Sequence, residues 1–116
     1  ILDEAGIPIM LSTQRSHNYH LMRQGSGNAV AHGMSYETAI EGMTNTVAKT
    51  FQIDNRGSIE SGKLADIIVW DGDPLEPSSF PKIVMIEGKF QDLKSRSSKL
   101  TERYTNSEDK PASYKH

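Results

Sequence analysis

The stretch RGSIESGKLADIIVWDGDPL, residues 56–75, carries the strongest structural pattern in this chain of 116 residues. Residues 55–58 and 60–63 are rich in Gly, Ser, Asn and Lys, a composition that predicts two successive turns. Gly62 can adopt a positive φ at little cost in the second turn. Asp66 follows directly, and we expect its carboxylate to accept hydrogen bonds from the amides of the turn.

The residues that follow these turns predict a small sheet. Residues 64–70 are β-branched and aromatic, as in a strand, and residues 71–74 (DGDP) end it. Residues 82–86 predict a second strand. Glu87 and Gly88 form a two-residue connection to Lys89-Phe90, so we expect a tight hairpin there.

The sequence before this stretch has helical patterns. Ser35 is a suitable N-cap, and apolar residues then recur at spacings of three and four, which predicts one amphipathic helix. These residues are Ile40, Met43, Val47 and Phe51. A weaker helix is expected over residues 19–31, although Gly25 and Gly27 each cost about 1 kcal/mol relative to Ala. Gly33 is expected to end it.

The two ends of the chain differ in character. Residues 7–11 (IPIML) form a short apolar run that predicts a strand buried on both faces. From Asp92 onward the composition is polar, and Leu93, Leu100 and Tyr104 could line one side of a short helix. Beyond Thr105 we expect a loose segment.

Composition excludes several classes of function. The net charge of −2 and pI of about 6.1 predict no nucleic-acid partner. No apolar run approaches the roughly 20 residues of a membrane span, so no membrane partner is expected. The absence of Cys excludes thiol chemistry. The sequence opens on Ile1 with no signal-peptide pattern, so we expect it to be part of a longer polypeptide, and its localisation stays open.

Residues 56–75 closely resemble the C-terminal signature of the amidohydrolase superfamily, in its imidazolonepropionase-like branch. There the pattern runs Gly-Ser-Ile-Glu-x-Gly-Lys-x-Ala-Asp, an apolar strand, then Gly-Asp-Pro-Leu. The resemblance implies an α/β fold: the last strand–helix units of a (β/α)8 metal-dependent hydrolase barrel, then the C-terminal part of a small β-sandwich domain. It places barrel elements in residues 1–54, strands of the composite β-domain in 55–92, and a polar tail in 93–116.

The resemblance also implies a chemistry. Family members hydrolyse C–N bonds with water activated by zinc or another divalent metal. Of the family's metal ligands, only an Asp at the end of the last barrel strand would fall in this chain, and Gln14 stands at that position. An amide cannot act as the metal-binding carboxylate. Either the role is lost, or this branch uses another constellation, or the alignment is shifted by a few residues.

Candidate site residues follow the predicted strand. Gln14, His17 and Asn18 would lie on the last β-to-α loop, on the catalytic face of such a barrel, where we expect them to contact a small-molecule substrate. His17 and His20 are spaced as metal ligands on a helix could be, but two His on a polar stretch are more often solvated. Asp71 and Asp73 could suggest calcium, and a turn is the stronger interpretation.

Three hypotheses remain at this stage. The chain is the C-terminal part of an amidohydrolase and inactive alone, or it belongs to a pseudoenzyme with Gln14 in place of the metal ligand, or it is a stand-alone binding or oligomerisation module. No metal is expected on this chain by itself. One barrel strand cannot close a barrel, so the expected partner is the N-terminal part of the same protein or a second copy of the chain. The substrate is not determined by the sequence.

Overall fold

The structure is a computed structural model that describes residues 2–13 and 21–105. This part of the chain forms a helical portion followed by a small sheet and a last helix, a mixed α and β arrangement. The elements are α1 (Met22–Ala31), α2 (Tyr36–Glu41), α3 (Asn45–Thr50), β1 (Ile67–Trp70), β2 (Pro81–Ile86), β3 (Lys89–Phe90) and α4 (Arg96–Thr105). None of the helices in the described residues is long and apolar enough to cross a membrane.

Helix α1 confirms the weaker of the two predicted helices, over its residues from Met22 onward. The helix ends at Ala31, and Gly33, the predicted stop, follows the C-cap residue in a left-handed conformation with φ +102°. The amide of Gly33 donates to the carbonyl of Val30, and the amide of Met34 donates to that of Ala29. This pair of bonds is the Schellman arrangement, in which a glycine satisfies the last carbonyls of a helix.

The prediction of one helix between Ser35 and Phe51 was wrong, because the structure has two short helices there. Ser35 does cap α2, since its hydroxyl accepts a hydrogen bond from the amide of Thr38 at 3.0 Å. The helix then stops at Gly42, where a Cβ would lie 2.8 Å from the carbonyl oxygen of Ile9. The apolar spacing continued through the break and therefore concealed it.

The predicted strand over residues 7–11 was also wrong. These residues form no strand, and their contact is with the end of α2, where the amide of Leu11 donates to the carbonyl of Gly42 at 2.9 Å. A strand buried on both faces needs ladder partners, and the strands of the described residues pair with one another instead. Ile7 and Met10 consequently remain 49% and 43% exposed.

The sheet is antiparallel, with strand order β1-β2-β3. Ile68 pairs with Val84 and Val69 with Ile83, and the register shifts after Val69. Strand β1 is shorter than the predicted residues 64–70. The predicted hairpin is confirmed, and both residues of its turn have positive φ, +51° and +76°, as a two-residue hairpin turn requires.

Both faces of this sheet carry exposed apolar side chains. Side chains alternate along a strand, so Ile68 and Ile86 lie on one face, and Val69, Ile83 and Phe90 lie on the other. All five are more than 40% exposed. An antiparallel sheet with one solvated face would have polar residues on that face. Lys89 pairs with Ile86 and adds a charge to the first face, so the face of Val69, Ile83 and Phe90 is the one whose side chains fit a covered surface.

The apolar core of the described residues is small. It consists of Ala39, Ala48 and Leu75. The Cα radius of gyration is 18.8 Å, whereas a compact domain of similar length would have about 13 Å. The predicted short helix is confirmed as α4. Every residue of α4 is exposed, so its apolar side is uncovered. The predicted loose segment after Thr105 lies outside the described residues.

Candidate functional site

An apolar groove lies between the helical portion and the sheet. Its volume is about 760 Å³, and it is bordered by α2, α3 and β1 and by the turns that precede β1. Apolar lining residues include Ile40, Met43, Val47, Ile53, Leu64 and Ile67. Arg23, Arg56 and Asp66 contribute the charged groups of its lining. A surface of this composition suits an apolar occupant with few polar groups.

The turn at the start of the signature packs directly against α3. Gly57 has φ +90°, and a Cβ at this position would lie 2.4 Å from the Cβ of Ala48. Ala48 itself is 6% exposed. Two requirements therefore act on Gly57, a left-handed backbone and an absence of side-chain volume, and only glycine meets both.

Asp66 connects the first turn of the signature to the β2–β3 hairpin, whereas the sequence predicted that it would bind amides of the preceding turn. Its Oδ1 accepts a hydrogen bond from the backbone amide of Glu87 at 2.8 Å, in the β2–β3 hairpin and not in the preceding turn. Its Oδ2 pairs with the guanidinium of Arg56, which also contacts Glu87. The Glu87 amide and then Arg56 lower the pKa of Asp66, and the two carboxylates raise the pKa of Arg56. The Arg and Asp of the signature thus attach the hairpin to the first turn.

The acidic residues of the DGDP segment are engaged within the protein. The Oδ1 of Asp71 accepts from the amide of Phe80 at 2.7 Å, which lowers the pKa of Asp71. The Oδ1 of Asp73 accepts from the amide of Leu75 at 2.8 Å and from the hydroxyl of Tyr36 at 2.9 Å. Desolvation and this bond to Asp73 raise the pKa of Tyr36. These bonds favour the turn interpretation over a calcium site.

The described residues do not fit the divalent metal that the family resemblance implies. Residues 2–13 and 21–105 contain no group of three or more His, Asp or Glu placed to hold an ion. Asp3 accepts hydrogen bonds from the amide of Ser35 and the hydroxyl of Thr38, at 2.6 and 2.5 Å, which lowers the pKa of Asp3. The Nδ1 of His32 lies 2.7 Å from the carbonyl oxygen of Asn28.

The predicted site residues lie outside the described part of the chain. Gln14, His17 and Asn18, and with them His20, belong to residues 14–20, so their prediction stays untested. Sequence reasoning did not single out Arg23, Tyr36 or Asp3. Asp3 precedes its partner helix by about thirty residues in sequence, and no local pattern connects positions so far apart.

Comparison with known proteins agrees with the signature. The model of the Amidohydrolase family matches residues 1–98, most of the chain. The chain belongs to the amidohydrolase family. It is similar to the amidohydrolase tasK of Hapsidospora irregularis, at 32% identity over 92 residues, which are 78% of this chain and 9% of that protein. The resemblance drawn from residues 56–75 is thereby confirmed at the level of the family.

A solved structure supports the same assignment. The fold is similar to the crystal structure of an amidohydrolase from Thermotoga maritima MSB8, with a TM-score of 0.67 and 28% identity. The likeness covers 75% of this chain and 23% of that one. The chain therefore spans less than a quarter of the length of either of these amidohydrolases. Membership of the family supports a hydrolase-type function, and the family is generally metal-dependent.

Proposed function

We propose that this chain is the C-terminal part of a metal-dependent amidohydrolase, which hydrolyses C–N bonds of a small molecule with metal-activated water. Residues 1–54 would supply the C-terminal part of a (β/α)8 barrel, and residues 55–92 the last strands of a small β-sandwich. The chain alone would be inactive. The observation that carries the proposal is the family match over residues 1–98, within a chain that spans only 23% of the Thermotoga relative.

The chemistry of the described residues supports a structural contribution. Zinc takes three or four protein ligands, and residues 2–13 and 21–105 supply no such group. On the predicted alignment Gln14 stands at the family's Asp position, and its amide has no carboxylate with which to take a proton from water. The metal ligands of the active protein would therefore come from elsewhere in the polypeptide. Residues 14–20 would contribute contacts to substrate.

The groove supports the second part of the proposal, that the rest of the polypeptide packs on this chain. Its lining is apolar, and Ile59 at its border is 81% exposed. Burying an Ile side chain contributes about 1.5–3 kcal/mol, so a docking segment with apolar residues would gain free energy here. The sheet face of Val69, Ile83 and Phe90 offers the same kind of surface. A second copy of the chain is the alternative occupant.

The intact mass of the natural polypeptide tests the assignment. An antibody against this chain, followed by mass measurement from the native source, should detect a species several-fold heavier than 12.9 kDa. That species should bind a divalent metal and hydrolyse amide substrates, while the 116-residue chain does neither. A natural species of 12.9 kDa would contradict the proposal and favour a stand-alone module. A heavy species without metal or activity would favour a pseudoenzyme.

The substitution Ile59→Asp tests the docking surface. In the 116-residue chain this exposed residue should tolerate Asp with almost unchanged stability. In the longer polypeptide the same substitution should destabilise the protein, because it would place a charge in an apolar interface. The chain therefore serves as its own matched control. Equal, small effects in both proteins would refute docking at the groove.

A further inference from the structure

The loop over residues 71–80, between β1 and β2, makes contacts with both α1 and α2. Leu75 is 5% exposed and packs against Gly27 of α1, where a Cβ would lie 3.0 Å from the Leu75 carbonyl oxygen. The hydroxyl of Tyr36, the first residue of α2, donates to Asp73. The loop thus carries contacts to two helices that precede it in sequence by more than thirty residues.

Arg23 of α1 makes the third contact and the most extensive one. Its Nη1 lies 3.0 Å from the carbonyl oxygen of Pro74, and both Nη atoms lie 3.3 Å from that of Ser79. Its guanidinium carbon lies 4.2 Å from the centroid of the Trp70 ring. Within residues 2–13 and 21–105, Arg23 forms no ion pair with a carboxylate. Two carbonyls and an indole face therefore hold this cation.

The chemistry of the guanidinium explains why arginine occupies this position. Its planar fork can donate to two carbonyl oxygens while its face stacks on an aromatic ring. A lysine ammonium is a compact point charge and cannot reproduce both interactions in one geometry. Pro74 and Ser79 lie five positions apart in the loop, so a single side chain binds two separate parts of it.

The loop is also braced from within. The Asp71 carboxylate accepts from the amide of Phe80, and the Asp73 carboxylate accepts from the amide of Leu75. A loop that keeps its own shape can hold the elements that it contacts in a fixed relative position. Elsewhere in the described residues, helices pack on helices and strands pair with strands. The turn at Gly57, which packs on Ala48, is another close contact between the helical portion and the signature.

We propose that Arg23 and the loop of residues 71–80 form an intramolecular clasp that fixes the sheet against α1 and α2. Trp70, the only tryptophan of the chain, reports whether the clasp is closed. The clasp does not depend on the proposed hydrolase activity, because it involves no group of the substrate or metal site. The proposal gives the DGDP segment of the family signature a role in joining the helices to the sheet. From the sequence alone this segment was predicted only to be a turn.

Fluorescence of Trp70 in the 116-residue chain provides the first test. Arg23→Met should increase acrylamide quenching of Trp70 and shift its emission, with far-UV circular dichroism unchanged. Arg23→Lys should raise quenching as well, since the fork is lost. Arg96→Met, on the exposed helix α4, is the matched control and should leave Trp70 as in the wild type.

Amide hydrogen exchange separates a clasp from local shielding of the indole. In Arg23→Met the amides of Phe80 and Leu75 should exchange faster, while that of Gln91, bonded to Val84 in the hairpin region, should not change. Loss of a cation–ring contact, even one as weak as those at exposed sites, predicts at least a roughly two- to fivefold faster exchange at the loop. Unchanged loop exchange would overturn the clasp. If Arg23→Met unfolds the chain, Arg23→Lys decides by the same measurement.

Discussion

Gly57→Ala is the substitution whose effect the structure defines most closely. At φ +90° an alanine is strained by about 1–2 kcal/mol, because its Cβ approaches the following carbonyl oxygen. Its Cβ would also lie 2.4 Å from that of Ala48, more than about 1 Å inside the optimal carbon–carbon separation. Overpacking of this kind costs about 1–3 kcal/mol. We therefore expect Gly57→Ala to lower the free energy of unfolding by about 2–5 kcal/mol.

Gly62→Ala is a matched control within the same signature. Gly62 has φ +91°, but nothing lies within 4 Å of the position that a Cβ would occupy, so only the backbone strain applies. The effect of Gly→Ala on the unfolded chain is the same at both sites and cancels in the difference. Gly57→Ala should therefore be more destabilising than Gly62→Ala by about 1–3 kcal/mol, or a factor of about 5 to 150 in the unfolding equilibrium constant.

Urea unfolding, monitored by the fluorescence of Trp70 and by circular dichroism, measures both variants. The comparison is made at equal m-values, so that the shift of the midpoint reports stability alone. Equal losses for the two alanine variants would refute the contact between the Gly57 turn and α3. A smaller loss at Gly57 than at Gly62 would refute the packing of the signature against the helical portion altogether.

Four further substitutions test other parts of the structure. Asp66→Asn should destabilise the chain at pH 7, and progressively less as the pH falls below about 4. A carboxylate with a lowered pKa stabilises the fold fully above its unfolded pKa and loses that contribution as pH falls through its folded pKa. Urea midpoints from pH 7 downward check this, and a pH-independent difference from the wild type would contradict it. Gly25→Ala, in open space within α1, should stabilise the chain by up to about 1 kcal/mol. Gly27→Ala, which faces the loop, should stabilise the chain less or destabilise it. Thermal unfolding of the two variants measures this difference. Tyr36→Phe should cost about 0.5–1.5 kcal/mol through the lost bond to Asp73, and an unchanged unfolding midpoint would argue against that bond.

The candidate substrate loop requires the longer polypeptide for its test. Replacing Gln14, His17 or Asn18 by Ala should reduce turnover there, with the fold intact by circular dichroism. An equivalent substitution in α4, such as Lys99→Ala, should leave turnover unchanged. Wild-type kinetics in all three variants would remove these residues from the proposed site.

Some elements could be predicted from the sequence because their causes are local. The hairpin at Glu87-Gly88 follows from two adjacent strand patterns and a two-residue turn, and the end of α1 at Gly33 follows from the conformational freedom of glycine. The Ser35 cap depends on a residue three positions away. The failures have a different cause: the break at Gly42 is set by the approach of residue 9, more than thirty positions earlier in the chain.

The sequence by itself determined the family, because the order of turn residues, strand residues and Pro74 in residues 56–75 is specific over short distances. It also determined the main helical and strand regions, whose periodicity is local. Only the tertiary structure decided what the signature does: Asp66 binds the Glu87 hairpin amide, Gly57 packs on Ala48, and Arg23 binds the loop before β2. Each of these contacts joins residues between 9 and 56 positions apart, and such pairings depend on how the elements pack, which no local pattern encodes.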